Sequence, residues 1–151
     1  EIAARRPGME IELFAFGRLP LALSGRCYHA RSHGLHKDAC QFVCDQDPDG
    51  MTLRTLEGEP FLAVNGVQTQ SYGIQMPDFS VAEMRTAGVS ALRLSPHTGD
   101  MAAVARAFRA YADNSLTARE LAENVRAVVS STPFVGGYLH GQAGVAPARF
   151  A

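Results

Sequence analysis

No run of about 18 apolar residues occurs in the 151-residue chain, so no segment has the length and character of a membrane-spanning helix. The start, EIAARRPGMEIELFAFG, lacks the basic, apolar and small-residue order of a secretory signal, and a cytoplasmic protein is expected. Internal repeats and low-complexity tracts are missing too, which excludes a repeat architecture. Charge of one sign is lacking: a net charge of −1 argues against a nucleic-acid coat, a disordered acidic tail or strong nucleic-acid binding. Neither H-E-x-x-H nor G-x-S-x-G is found, and Ser24 with remote histidines makes no triad, so proteolysis has no recognisable machinery. Cysteine is scarce and odd in number at three, which speaks against a disulfide framework and for free thiols or a metal site.

What is present fits one α/β domain. The chain is long enough for a hydrophobic core, but too short for a closed eight-stranded barrel of ~250 residues. EIAARRPG reads as the last turn of a helix ending at Gly8 and entered part-way, so the chain reads as a fragment. Ile11 to Gly17 reads as a strand leading into a long irregular stretch, and residues 51–66 as a hairpin turning at Glu57 to Glu59. Residues 65–79 read as a loop. Ser80 with Glu83, and Thr117 with Glu120, have capping-box spacing, and VSALRLS reads as a strand between the two boxes. After Asp100, the positions Met101, Val104, Ala105, Phe108, Tyr111 and Ala112 form one helical stripe; Leu121, Ala122, Val125, Val128 and Val129 form another. The chain then turns at Ser130 to Pro133, a strand begins at Phe134, and Pro147 forbids a regular central strand in the tail. Strands alternating with helices predict parallel pairing.

The chemistry is concentrated in CYHARSHGLHKDACQFVC, residues 27–44, which holds every cysteine and three of the five histidines. Cys27, Cys40 and Cys44 form C-x12-C-x3-C, and soft thiolates suit zinc or an iron–sulfur cluster. A tetrahedral zinc would need one further ligand, which His29, His33 or His36 could supply. A four-iron cluster prefers four thiolates and would need a cysteine from elsewhere. The plain alternative is three unrelated reduced thiols. Arg18, Arg26, Arg31 and Lys37, opposed by Asp38, could stabilise an anionic centre or hold a carboxylate, or form a solvated rim. His97 and His140, at the ends of expected strands, would face a barrel mouth or serve as hydrogen-bonded structural groups. Tyr72 and Gln75 have only loop length to recommend them.

FAFGRLPLALSGRCYHARSHGLHKDACQFVC (Phe14 to Cys44), supported by GGYLHGQAG (Gly136 to Gly144), resembles the collagenase-like peptidase family U32, in its UbiV-like branch of oxygen-independent ubiquinone synthesis. Pro20 stands where many relatives have a cysteine, and Ile74 to Met76 lack another; both departures favour that branch over its paralogue. The resemblance implies the C-terminal half of a TIM-like (β/α) barrel, with a cysteine-bearing loop and a β-hairpin insertion, residues 1–151 forming one partial domain. It implies a 4Fe–4S cluster on Cys27, Cys40 and Cys44, with a fourth cysteine in an absent N-terminal half. It further implies ring hydroxylation in a heterodimer with a paralogous subunit, with a ubiquinone precursor or a small carboxylate donor as small-molecule partner. No catalytic residue is singled out. The alternatives are a zinc-stabilised binding module, an RNA-base hydroxylase and a peptidase of the wider family.

Overall fold

Local capping chemistry sets where the helices begin. In the computed structural model, which describes residues 2–36, 39–129 and 132–150, both expected capping boxes are formed. Ser80 and Glu83 open α3 (Val81–Thr86), and Thr117 and Glu120 open α5 (Ala118–Arg126). Each hydroxyl accepts the N3 amide while the glutamate accepts the cap amide, which satisfies two orphan donors per helix. The cap amides first, and the cap hydroxyls second, hold Glu83 and Glu120 below the ordinary 4.5. A depressed carboxylate contributes stability above its unfolded value that is lost as pH falls through the folded one. Thermal melts from about pH 5 down to about pH 3 should therefore fall more steeply for the native chain than for the Glu83→Gln/Glu120→Gln double variant.

Glu1, Lys37, Asp38 and Ser130, which carry parts of the expectations above, lie outside the described residues. The rest of the chain divides into two compact units, residues 1–17 with 75–151 and residues 18–74.

In the first unit a short helix α1 (Ile2–Arg5) leads to β1 (Glu12–Leu23), whose opening half pairs in parallel with β5 (Ala91–Leu94). Gly17 has φ 119°, and a Cβ there would lie 2.5 Å from Ser95 Cβ, so only glycine fits where β1 passes Ser95. Helix α4 (Met101–Ala112) is capped by Asp100, whose Oδ1 accepts the Ala103 amide at 2.9 Å. Its buried stripe is Val104, Phe108 and Tyr111; Ala105, expected in it, is exposed, so the covered face is narrower than the sequence pattern. Helix α5 buries Leu121, Ala122 and Val125 and ends at Arg126, leaving Val128 and Val129 half-buried beyond it. The strand expected at Phe134 is β6 (Phe134–Val135), where Val135 forms an isolated bridge to Pro147.

In the second unit the expected hairpin is present: β2 (Met51–Arg54) pairs antiparallel with β3 (Pro60–Asn65). The expectation of a loop over residues 65–79 is corrected, because β4 (Gln68–Gln75) pairs antiparallel with β3, with Leu62 opposite Ser71. Its residues Gln68 to Tyr72 are half-buried on both faces, so no apolar alternation announces the strand. β1 also runs further than expected. The Ser24 amide donates to the Val67 carbonyl at 2.9 Å and the Leu19 amide to Ser71 Oγ at 2.8 Å. Residue numbers rise along β1 as they fall along β4, so this pairing is antiparallel. The strands are ordered β2-β3-β4-β1-β5, with β6 on β4, in a mixed α/β arrangement. Parallel pairing, expected throughout, is seen for β1 with β5, whereas β2 with β3 and β3 with β4 pair antiparallel. Among the described residues no helix is long and apolar enough to cross a membrane.

Candidate functional site

The cysteine segment lies in the second unit, and its described residues include a short helix and a 3-10 turn. Cys27 is the N-cap of the five-residue helix α2 (Tyr28–Ser32), and its Sγ accepts the Ala30 amide at 3.3 Å, in the place a Ser or Asp oxygen fills elsewhere. Cys40 is exposed, with its Sγ 3.5 Å from the donating Phe42 amide. Cys44 sits in a 3-10 turn, Val43–Gln46, entered through Phe42 at φ 54° and ψ 32°. A bulky aromatic rarely adopts that left-handed conformation. Its ring gains nothing from it by burial, being 70% exposed. All three thiols are free.

The same turn delivers an acidic partner to the helix. The Asp47 amide donates to the Cys44 carbonyl, and Asp47 Oδ2 lies 2.9 Å from His29 Nε2. His29 is fully buried, its Nδ1 has no partner among the described residues, and its ring stacks on His33 at 5.8 Å. One donor atom from each of His29, His33 and Asp47 lies within 4.8 Å of the other two. His36 does not join this group, and neither do the cysteines. Asp47 lies in DQDPDG, which reads in sequence as turn chemistry, and an 18-residue separation hides its partnership with His29.

Some of the other sequence candidates have structural work. Arg18 donates to the carbonyls of Ser71 and Tyr72 and lies 5.4 Å from the Tyr72 ring, so it fastens β4 rather than facing the thiols. Burial pulls its guanidinium below the ordinary arginine range, with Asp49 and then Tyr72 opposing. Arg26 and Arg31 are exposed. Gln75 is buried and donates to the Phe14 carbonyl. Ser24 Oγ accepts the Arg26 amide, a local turn contact. His97 lies just beyond β5 and is half-buried.

In the first unit His140 Nε2 lies 2.6 Å from Asp78 Oδ1, and the other oxygen of this fully buried carboxylate accepts the Arg149 amide at 2.6 Å. Asp78 was not visible as a partner across 62 residues. The pair borders a cavity of about 530 Å³ with Ser80, Tyr111, Thr117 and Glu120. Those polar groups are already engaged: the capping boxes take three of them, and the Tyr111 hydroxyl donates to the Phe79 carbonyl. Burial first, then Glu83 and Asp78, push Tyr111 up to about 12. Those bonds assign the Asp78–His140 pair to tying the C-terminal turn to the end of β4.

With this geometry in place, the family model for Peptidase family U32 matches residues 1–147. The chain belongs to peptidase family U32. No solved structure matches it. The iron–sulfur cluster expected of this U32 chain can be tested against its donors. A single zinc with Zn–S bonds of ~2.3 Å would draw its thiolates to within about 4 Å of each other. The three cysteines do not form such a group among the described residues. A four-iron cluster takes each thiolate at a different iron and holds them farther apart. All three cysteines are free, and the Sγ atoms of Cys27 and Cys40 each accept a backbone amide.

Proposed function

We propose that this U32 protein is the iron–sulfur subunit of an oxygen-independent ring hydroxylase in ubiquinone biosynthesis, working in the cytoplasm as a heterodimer with a paralogous subunit. Cys27, Cys40 and Cys44 would hold three corners of one 4Fe–4S cluster, with a fourth cysteine from outside residues 1–151. The observation that carries the reading is the occurrence of three free thiols within one segment of a U32 chain. The left-handed Phe42 between Cys40 and Cys44 supports it, since rare backbone conformations gather where a ligand or reaction requires them. When bound, the cluster would supply electron or oxygen-atom transfer. The residues of this chain then have positional roles: Cys27 is fixed by the first turn of α2, and Cys44 by the turn that begins at Phe42. In this reading the sheet and its helices are the C-terminal half of a (β/α) barrel, and the hairpin belongs to an insertion beside the cluster. The substrate would be a ubiquinone precursor, and the oxygen donor a small carboxylate.

The full-length protein purified without oxygen should be brown and carry about one cluster. A colourless protein with stoichiometric zinc would overturn the cofactor. A deletion strain grown without oxygen should accumulate unhydroxylated quinone precursors, restored by the intact gene. Unchanged quinones with loss of an RNA-base hydroxylation would overturn the substrate.

A further inference from the structure

We infer that His29, His33 and Asp47 form a site for one divalent first-row transition metal, separate from the thiolates. Two imidazoles and a carboxylate are the nitrogen and oxygen donors that zinc and iron(II) accept. Their spacing is already close to what an ion needs. Ligands held at ~2.1 Å from one metal, at octahedral to tetrahedral angles, lie about 3.0–3.4 Å apart. His29 Nε2 and Asp47 Oδ2 are 2.9 Å apart, and the three donors all fall within 4.8 Å.

Local structure explains the convergence. His29 and His33 are four residues apart, one turn of helix, and so share a face of α2 and its C-cap. Asp47 is brought opposite by the turn Val43–Gln46, whose last hydrogen bond is its own amide to Cys44. His29 is immobilised by burial, whereas His33 is exposed and free to swing inward by the small distance that closes the set. The sites are mechanically linked, because Cys27 caps the helix that holds both histidines and Cys44 shares a turn with Asp47.

One feature limits the affinity. A metal at Nε2 sends the ring proton to Nδ1, which is enclosed and without a partner among the described residues, so binding should be weaker than at a structural zinc site.

Cobalt(II) is the probe, added to the full-length Cys27→Ser/Cys40→Ser/Cys44→Ser variant, which has no thiolate from this segment to contribute. One equivalent should bind saturably, with visible d–d bands and no sulfur-to-cobalt charge-transfer band. His33→Ala and Asp47→Ala should each weaken binding roughly tenfold or more, as loss of a ligand or its orienting partner does. Both side chains reach the surface, so circular dichroism should show the fold retained. His36→Ala should leave the affinity unchanged. Absence of saturable binding in the thiol-free variant would overturn the inference, as would equal weakening by His36→Ala. Either result leaves the cluster untouched, since this test contains none of its three thiolates.

Discussion

Cys40→Ser in the full-length protein, purified without oxygen, is expected to reduce bound iron from about four per chain to below about one, with loss of the brown colour. The substitution exchanges one sulfur for an oxygen of similar shape, and Cys40 is exposed, so little packing changes. What disappears is a soft anionic donor, for which a serine hydroxyl is a poor substitute. Cys27→Ser should lose iron as fully while preserving α2, because a serine oxygen can accept the Ala30 amide as a helix cap. Cys44→Ser should behave as Cys40→Ser does. His36→Ala should keep its iron. Iron and sulfide analysis beside circular dichroism separates ligand loss from unfolding. Full iron in Cys40→Ser, with an unchanged spectrum, would remove Cys40 from the ligand set.

The parts of the fold legible in the sequence are those made by near neighbours. Ser80 with Glu83, Thr117 with Glu120, and Asp100 with Ala103 are three-residue relations, and each produced the helix start it predicts. The hairpin of β2 and β3 was legible for the same reason, its turn chemistry and flanking apolar residues being contiguous. β4 was not, because GVQTQSYGIQ lacks apolar alternation and its identity as a strand comes from β3 and β1 on either side. β1 runs on past Gly17 through Pro20, and since β5 ends at Leu94 opposite Phe16, β5 offers residue 20 no ladder bond that proline could break.

The candidate site follows the same division. The cysteine spacing and the His29–His33 interval were visible, but Asp47 and Asp78 became partners only through folding across 18 and 62 residues. A five-residue helix also leaves too short a periodic pattern to announce that His29 and His33 share a face.

Phe16→Ala should be the most damaging single change in the first unit, costing about 3–5 kcal/mol in urea unfolding of the full-length protein. Phe16 is fully buried in β1, and its ring meets Phe108 of α4 edge-on at 5.9 Å. Phe108 in turn meets Tyr111 at 6.4 Å, so three aromatic rings join the parallel strand pair to α4. Removing Phe16 both exposes the loss of its own buried surface and leaves Phe108 facing a void that backbone-fixed neighbours fill only in part. Phe108→Ala should cost nearly as much, and the double variant less than the sum, with a coupling of about 0.5–1.5 kcal/mol from the edge-on pair. Leu56→Ala supplies the contrast, since Leu56 is fully exposed at the hairpin turn and should shift stability by no more than about 0.5 kcal/mol. A Phe16→Ala cost as small as that of Leu56→Ala would mean that α4 does not pack on β1.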